Sequence, residues 1–473
     1  MSEFDDAHRY LLARWILPIS DAPVENGCLV ISDKRIVGII SRADYEKLPG
    51  PAKRQNSIEY GEAAIVPGLV NLHTHLDYSA LKHFDNYSNF FLWIRKLIGN
   101  SWQWSQEQWL DSALVGAREV ISSATSTLAD SSPSGASARA IALSGLRGVV
   151  GLELFGIDEE QEEKTFEIWL QKYQGFMDSA SKEPSLKKAL EDDRLQITIA
   201  PHTPYSVCPS LIRRSLAWCK EKGLPLFIHI AESEAECRWI ASGEPQLDDF
   251  LKEAFRGELP STPWRGHGLS PVQHMEKFGL LDHQVLAAHV VQMDDDDIEL
   301  LARHKVSAAH CPRSNSRLRN GIAPLMKMIT AGIELGFGTD SAASTDDLNV
   351  LSEARFAWDL HRAANKEFSE SAERALYYLT LGAARALKVD TKTGSLSEGK
   401  YADFSVFSLA DLPEIAQANP FECLVYGGAQ AKDLVVNGVW LMRDGYIADT
   451  PKIGATERQI GADFTADKLG SKI

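Results

Sequence analysis

The central part of the chain alternates short apolar runs with segments of helical periodicity. Apolar runs of about four to eight residues, bounded by turn or polar residues, are typical of buried strands. Between most of these runs, apolar residues recur at the spacing of an amphipathic helix, as in residues 106–122 and 211–222. The pattern predicts eight strands, at residues 65–72, 126–129, 148–154, 196–200, 225–230, 285–288, 306–309 and 333–336.

Alternating strands and helices indicate a parallel sheet, because parallel strands need a crossover connection that is usually helical. Eight such units in roughly 320 residues favour an α/β fold of the (β/α)8 TIM-barrel type, with insertions at 155–195 and 240–280. A doubly wound open sheet is the alternative, but no G-x-G-x-x-G motif follows the first strand. We therefore predict a barrel over residues 67–388.

Both ends of the chain are rich in β-strand signals. Apolar or alternating runs occur at 28–32, 35–40, 402–408 and 434–442. Turns are predicted at Asp33-Lys34, Asn437-Gly438 and Asp444-Gly445. Because neither end could bury a core alone, we predict one small composite β-sandwich domain from residues 1–66 and 389–450. The remaining residues, 451–473, are predicted to be a polar tail.

Residues able to bind metals follow the predicted strands. In a barrel, catalytic residues gather at the C-terminal ends of the strands. His73 and His75 end the first strand, and alternate side chains of a strand point to the same side. A single histidine after a strand is more often structural, but chance does not explain the whole set. The later predicted strands end at His202, His229, His289, His310 and Asp340.

Three neutral imidazoles and one carboxylate suit a borderline divalent metal, with one position left for water. We predict a single ion, zinc before iron or manganese, held by His73, His75, His229 and Asp340. No lysine that could bridge two metals ends the fourth strand, where His202 stands instead. Such an ion lowers the pKa of its bound water and makes hydroxide available for attack.

Glu232 lies three residues after His229, where its carboxylate can exchange protons with water or substrate. The alternative is an ordinary helix-start glutamate, since Glu234 and Glu236 follow at once. His289 either hydrogen-bonds the attacking hydroxide or has a structural role. Together these residues predict hydrolysis at an unsaturated carbon.

The composition of the chain limits which macromolecular partners and which cellular compartment we expect. A formal net charge of −16 argues against general binding to nucleic acid or anionic membranes. The acidic N-terminal segment lacks the features of a signal peptide, and no run of about 18 apolar residues predicts a membrane span. Six scattered cysteines without a C-x-x-C pair are typical of free thiols in a cytoplasmic protein.

The chain resembles the amidohydrolase superfamily, in particular the mononuclear aminohydrolases related to cytosine deaminase, chlorohydrolases and S-adenosylhomocysteine deaminase. The matching stretches are PGLVNLHTHLDYSALK, IAPHTPYSVC, FIHIAESEAE, LAAHVVQMD, AAHCPRSNSRL and GFGTDSAAS. The segments GSLSEGKYADFSVF and VVNGVWLMRDG resemble the composite β domain of that family. The resemblance covers nearly the whole chain.

The resemblance implies the same four metal ligands, with Glu232 and His289 as proton-transfer residues and His202 near the substrate ring. In the implied reaction, hydroxide attacks the amine-bearing ring carbon. Glu232 protonates the adjacent ring nitrogen, Asp340 shuttles a proton, and ammonia leaves. Members of the superfamily are often dimers, so a homodimer is expected.

The substrate is less constrained by the resemblance. S-adenosylhomocysteine deaminases typically have an arginine after strand three, where this chain has Glu153 and Phe155 in GLELFGID. Other stretches look more like the 6-amino-6-deoxyfutalosine deaminases of menaquinone biosynthesis: HLDYSAL, FFLWI, GLELFGI, GLSPVQHMEKFGLL and GTDSAAS. Their nucleoside substrate carries a carboxylate. Candidate contacts are Arg95 for that carboxylate, Trp93 or Phe91 for stacking, and Ser341 where relatives often have glycine.

Several alternatives stay open at this level. The alternative interpretation of Arg95 is an exposed helix residue, and that of Trp93 is a core residue. The alternatives to a futalosine deaminase are an S-adenosylhomocysteine or methylthioadenosine deaminase and a hydrolase of guanine-type or triazine N-heterocycles. A non-catalytic metal-binding protein is the remote alternative, and its sign would be a lost metal ligand or a lost Glu232, all of which are present.

Overall fold

The structure is a computed structural model of the 473-residue chain. It describes residues 8–49, 55–84, 90–260, 262–414 and 418–448. The predicted polar tail at 451–473 lies outside the described residues.

Strands occupy both ends of the chain and alternate with helices in its middle. In chain order they are β1 (His8–Ile16), β2 (Val24–Ser32), β3 (Arg35–Ser41), β4 (Ser57–Glu59), β5 (Ala63–Pro67), β6 (Leu69–Thr74), β7 (Thr125–Ser132), β8 (Arg147–Leu154), β9 (Leu195–Pro201), β10 (Leu226–Ile230), β11 (Val285–His289), β12 (Ser307–His310), β13 (Leu335–Phe337), β14 (Phe404–Ser408), β15 (Gln430–Val436), β16 (Val439–Arg443) and β17 (Tyr446–Ile447).

Helices connect the central strands, and local capping fixes where several of them begin. Ser105 and Gln108 form a reciprocal capping box at the start of the helix predicted at 106–122, which is confirmed. The helices are Arg42–Lys47, Phe90–Ser101, Gln106–Ser122, Ala136–Ser144, Glu162–Ala180, Pro184–Glu191, Pro209–Lys222, Glu234–Ser242, Asp248–Phe255, Pro271–Lys277, Asp295–Arg303, Pro312–Arg317, Leu325–Thr330, Ala342–Thr345, Val350–Ala364, Ala372–Tyr378, Leu381–Ala386 and Pro420–Val425. Short 3-10 helices lie at Leu76–Leu81, Glu159–Gln161 and Pro245–Leu247.

The central strands form two parallel four-stranded sheets, β6-β7-β8-β9 and β10-β11-β12-β13. Backbone hydrogen bonds join the two sheets at both edges. The His229 N–H donates to the His202 carbonyl oxygen at 3.0 Å, and the Asp340 N–H donates to the His73 carbonyl oxygen at 2.9 Å. Both bonds lie at the C-terminal ends of the strands, so the predicted histidines are brought to the same place.

The terminal strands form a separate nine-stranded sheet with the order β17-β16-β15-β14-β5-β1-β2-β3, and β4 pairs with β1. Strands from both ends of the chain therefore share one sheet. The predicted hairpin at Asp33-Lys34 is confirmed, since β2 and β3 pair antiparallel with Ser32 opposite Arg35. The turns at Asn437-Gly438 and Asp444-Gly445 likewise connect antiparallel strands.

The prediction of one strand over 65–72 is wrong, because two strands of different sheets meet there. β5 pairs with β14 and β1, whereas β6 begins the central sheet. The chain changes sheets at Gly68, where a Cβ would lie 2.4 Å from the Ser126 side chain. The apolar run is continuous because both strands are buried, so hydrophobicity alone does not show the break. The other seven central strands are confirmed to within a few residues.

A buried apolar layer fills the space between the central strands, below the ends that carry the histidines. Its side chains come from successive strands, as in a filled barrel core. They include Val70, Leu72, Ala129, Val149, Ala200, Phe227, Leu286 and Ala309. This layer gives the histidine end a rigid base. Within the described part of the chain, no helix is long and apolar enough to cross a membrane.

A buried ion pair joins the central strands to the terminal sheet. Arg147 Nε donates to Asp403 Oδ2 at 2.7 Å, with side-chain exposures of 3% and 0%. We expect Arg147→Ala to lower the free energy of unfolding by about 3–5 kcal/mol, because it leaves a buried carboxylate with the Asn437 N–H as a donor but without its cationic partner. The control is Arg303→Ala, which breaks an exposed pair with Glu276 and should cost about 1 kcal/mol or less. Urea unfolding measures both, and equal effects would contradict the prediction.

Candidate active site

A cavity of about 500 Å³ opens at the C-terminal ends of the central strands. Its inner surface is polar and includes His75, His229, Glu232, His289 and Asp340. Its outer wall is apolar and comes from the helices Phe90–Ser101 and Asp248–Phe255. The cavity therefore has a polar base for chemistry and an apolar side for binding.

Three histidines converge at the base of the cavity. Ligand atoms of His73, His75 and His229 all lie within 4.8 Å of one another, and all three residues are buried. The Nε2 atoms of His75 and His229 are 3.2 Å apart. Nitrogens bound to one tetrahedral zinc ion at about 2.0–2.1 Å lie roughly 3.3 Å apart. The observed spacing is therefore that of two ligands of one ion.

Hydrogen bonds and burial leave His73 and His229 in the neutral form that binds metals, whereas the charges of Glu153 and Asp340 outweigh burial and raise the pKa of His75. The His229 Nδ1 lies 2.8 Å from the His202 carbonyl oxygen, which can only accept, so Nδ1 carries the proton and Nε2 keeps its lone pair. Burial, reinforced by the neighbouring histidines, holds the pKa of His73 and His229 well below the ordinary value. His73 Nε2 is buried with no hydrogen-bond partner among the described residues.

Asp340 faces the three histidines with one carboxylate oxygen. Its Oδ1 lies 3.7 Å from His73 Nε2 and 3.6 Å from His75 Nε2. Its Oδ2 accepts hydrogen bonds from Ser314 Oγ at 2.6 Å and Ser344 Oγ at 3.1 Å. Those two bonds orient the carboxylate and leave Oδ1 available. The donor set of three nitrogens and one oxygen fits a divalent metal ion.

Glu232 and His289 lie side by side at the edge of this cluster. The Glu232 Oε1 is 3.8 Å from His289 Nε2 and accepts a 2.9 Å hydrogen bond from Asn320 Nδ2. His289 Nδ1 lies 2.9 Å from Asn315 Oδ1, a pairing in which Nδ1 carries the proton. Burial, with the charges of Asp340 and Glu236, raises the pKa of Glu232 well above the ordinary value. A carboxyl with a raised pKa can both accept and deliver a proton near neutral pH.

Backbone strain is concentrated where these side chains leave their strands. Ala231, His289 and Asp340 have φ values of 54°, 73° and 58°, a left-handed region that non-glycine residues rarely adopt. Such conformations persist where the surrounding structure holds them, and they cluster at functional sites. All three residues lie at the ends of central strands, next to the cavity.

Three of the four predicted substrate contacts lie on the cavity. Trp93 is buried, and its Nε1 donates to the Ala343 carbonyl oxygen at 3.3 Å. His202 is held by a 2.9 Å contact between its Nδ1 and Ser206 Oγ, and the Phe155 ring lies 4.7 Å away. Ser341 also lines the cavity.

Arg95, the fourth, is not brought to this cavity. Its Nε lies 2.7 Å from Glu253 Oε2, and its side chain is 47% exposed. Two residues along a helix rotate the side chain by about 200°, so Arg95 and Trp93 occupy different faces. The arginine is therefore positioned as an exposed helix residue, the alternative weighed from the sequence.

Some residues of the site were not singled out from the sequence. Ser314 and Asn315 follow β12 and hold Asp340 and His289, while Asn320 holds Glu232. A cluster of serines and asparagines directly after a strand was the available signal. In contrast, His310 ends β12 but lies away from the cluster, with its Nε2 3.5 Å from His361 Nε2.

Comparison with known proteins agrees with this architecture. The chain matches the model of the amidohydrolase family over residues 64–441. It is 29% identical over 443 residues to the 5-methylthioadenosine/S-adenosylhomocysteine deaminase of Moorella thermoacetica, covering 91% of this chain and 93% of the relative. It is 29% identical over 461 residues to the 5'-deoxyadenosine deaminase of Methanopyrus kandleri, covering 94% and 95%.

A solved structure has the same overall fold. An adenosine deaminase from Xanthomonas campestris with bound zinc superposes with a TM-score of 0.77 at 22% sequence identity, covering 96% of this chain and 98% of that one. The family match spans most of the chain, including every residue of the histidine, aspartate and glutamate cluster. The chain therefore belongs to the amidohydrolase family and is a hydrolase acting on carbon–nitrogen bonds.

Proposed function

We propose that the chain is a metal-dependent aminohydrolase that removes the C6 amine of an adenosine-type nucleoside. The observation that carries the proposal is the position of Glu232, next to His289 and beside a three-histidine, one-aspartate cluster at the base of the cavity. The names of the two curated relatives support the nucleoside class, since both are deaminases of adenosine derivatives.

We also infer that the two central sheets form one closed (β/α)8 barrel over about residues 67–388. The hydrogen bonds at both sheet edges support this closure. The shared terminal sheet supports a composite β domain built from residues 1–66 and 389–450. This arrangement places the loops that follow the strands around one cavity.

In this proposal, His73, His75, His229 and Asp340 hold one divalent ion, for which zinc is the first candidate and iron or manganese the others. An ion held there would make hydroxide available from water near neutral pH. Ser314 and Ser344 keep the aspartate oriented, and the His202 carbonyl oxygen keeps His229 in the ligand tautomer.

Glu232 carries the proton in this scheme. Its carboxylate accepts a proton from the attacking water and delivers it to the ring nitrogen next to C6. The bond between C6 and the amine nitrogen then breaks and ammonia leaves, while the oxygen of water stays bonded to C6. Asn320 keeps Glu232 in position, and His289 Nε2, opposite the protonated Nδ1, orients the water by a hydrogen bond. Asp340 moves the second proton to the leaving amine.

His202, Trp93 and Ser341 contact the substrate in the same proposal. The imidazole of His202 faces the cavity between Phe155 and the cluster, where it can hydrogen-bond a purine ring nitrogen. Trp93 offers a flat apolar surface whose indole N–H is already bonded, so it is suited to stacking and not to polar recognition.

The identity of the nucleoside is tested by a panel of adenosine derivatives that differ only at the 5′ position: hydroxyl, methylthio, homocysteinyl and the futalosine side chain. Ammonia release by metal-loaded protein is the readout. Strong preference for 6-amino-6-deoxyfutalosine would assign the enzyme to menaquinone biosynthesis, as the family resemblance predicts. Activity on none of them, with activity on guanine-type or triazine rings, would contradict the nucleoside proposal.

A further inference from the structure

Glu153 is a buried carboxylate of the cavity that the proposed mechanism does not use. It lies near the end of β8, is only 7% exposed, and lines the cavity. Its Oε1 has no hydrogen-bond partner among the described residues, and neither has His75 Nδ1, which is 3.8 Å away. Buried carboxylate oxygens are expected to accept hydrogen bonds, because leaving one without a donor is costly.

The charge of the cavity adds a second observation. Among the described residues that line it, Glu153, Glu232 and Asp340 are acidic, and none is lysine or arginine. The cations near it lie outside its lining: Arg95 is paired with Glu253, Arg256 borders the adjoining pocket, and Lys172 donates to the Pro133 carbonyl oxygen. A substrate carboxylate placed here would be desolvated without a cationic partner among the described residues that line the cavity, and it would share the cavity with the Glu153 carboxyl group.

The outer wall points to the same kind of substrate. Phe90, Trp93, Leu97, Phe250 and Phe255 form one apolar surface from two helices. Contact with these side chains stabilises an apolar substituent by removing its surface from water, but they provide no charged partner for a charged substituent. A substituent that leaves the polar base therefore meets hydrocarbon and aromatic rings.

We propose that Glu153 is a substrate-binding residue that accepts a hydrogen bond from a sugar hydroxyl of the nucleoside. With this residue, the cavity selects uncharged, apolar 5′ substituents over carboxylate-bearing ones. The inference rests on the proposed nucleoside deamination and goes against the carboxylate-bearing substrate that the family resemblance predicts.

The test compares two substrates that differ by one carboxylate, 5′-methylthioadenosine and 5′-(carboxymethylthio)adenosine. We expect the wild-type enzyme to have a kcat/KM at least 10-fold higher for the neutral compound. Glu153→Gln removes the negative charge, so the ratio should fall to within about 3-fold. Because both substrates meet the same variant, any change in metal content affects both and leaves the ratio intact.

The hydrogen bond has its own readout. Glu153→Leu removes the acceptor, so it should raise KM for 5′-methylthioadenosine about 10-fold or more. The same variant should change KM little for the 2′,3′-dideoxy analogue, which lacks the hydroxyl donors. Glu276→Gln serves as a charge-matched control on the surface, and both ratios should stay at the wild-type values.

The outcomes separate the two proposals. Ammonia release from both substrates with equal efficiency, or a wild-type ratio retained in Glu153→Gln, would overturn the role of Glu153 while leaving nucleoside deamination intact. Ammonia release from neither substrate by the metal-loaded wild type would overturn both. A lost ratio in Glu153→Gln together with an unchanged KM in Glu153→Leu would confine Glu153 to charge selection and overturn the hydroxyl contact.

Discussion

Glu232→Gln is expected to lower kcat for deamination by about 10²–10⁴-fold, the usual contribution of a positioned acid–base group. The amide can accept the Asn320 or water hydrogen bond but cannot take a proton from water and pass it to the ring nitrogen. Bound metal should stay near one ion per chain, because Glu232 is not one of the four proposed ligands. Steady-state ammonia release and elemental analysis of the same preparation measure both quantities.

Glu234→Gln is the matched control for this variant. Glu234 lies two residues further on, is exposed, and pairs with Arg238 on the outside of its helix. It should retain wild-type kcat. Full turnover in Glu232→Gln, or an equal loss in Glu234→Gln, would show that the proton-transfer role has been assigned to the wrong carboxyl group.

His229→Ala is expected to release the metal ion and to abolish measurable deamination. Removing one of four ligands leaves a buried cluster with two nitrogens and one oxygen, which holds a divalent ion far more weakly. Elemental analysis after dialysis should find well under one ion per chain. Activity should not return on addition of a stoichiometric amount of zinc.

A second strand-end histidine provides the comparison. His310 is more deeply buried than His229, and it also lies at the end of a central strand, but its ring faces His361 and Phe337 instead of the cluster. His310→Ala should therefore keep the metal, although it should lower the melting temperature because it leaves a cavity. Metal retained in His229→Ala, or lost in His310→Ala with the fold intact, would contradict the ligand assignment.

Most of the site residues that the sequence predicts lie at the C-terminal ends of strands. Side chains alternate along a strand, and parallel strands of a barrel place their C-terminal ends together, so His73, His75, His229 and Asp340 can be grouped from the sequence alone. Those rules concern backbone direction. They hold because a strand has little freedom in where it points its side chains.

What the sequence could not predict depends on contacts between distant residues. The sheet change at Gly68 lies within one apolar run, so it shows only in the partners that β5 and β6 choose. The orientation of Glu232 depends on Asn320, which is 88 positions away along the chain. The rotation of a helix decides that Trp93 faces the cavity while Arg95 pairs with Glu253.

The most direct test of the central claim is the fate of water oxygen during turnover. Metal-loaded wild-type protein would be incubated with 5′-methylthioadenosine in ¹⁸O-enriched water, with Glu232→Gln as the inactive reference. Mass spectrometry would follow the nucleoside, and an enzymatic assay would follow ammonia. The account predicts one ¹⁸O atom at C6 of an inosine-type product for each ammonia released. A product that keeps its C6 amine, or an altered nucleoside formed without ammonia, would contradict it.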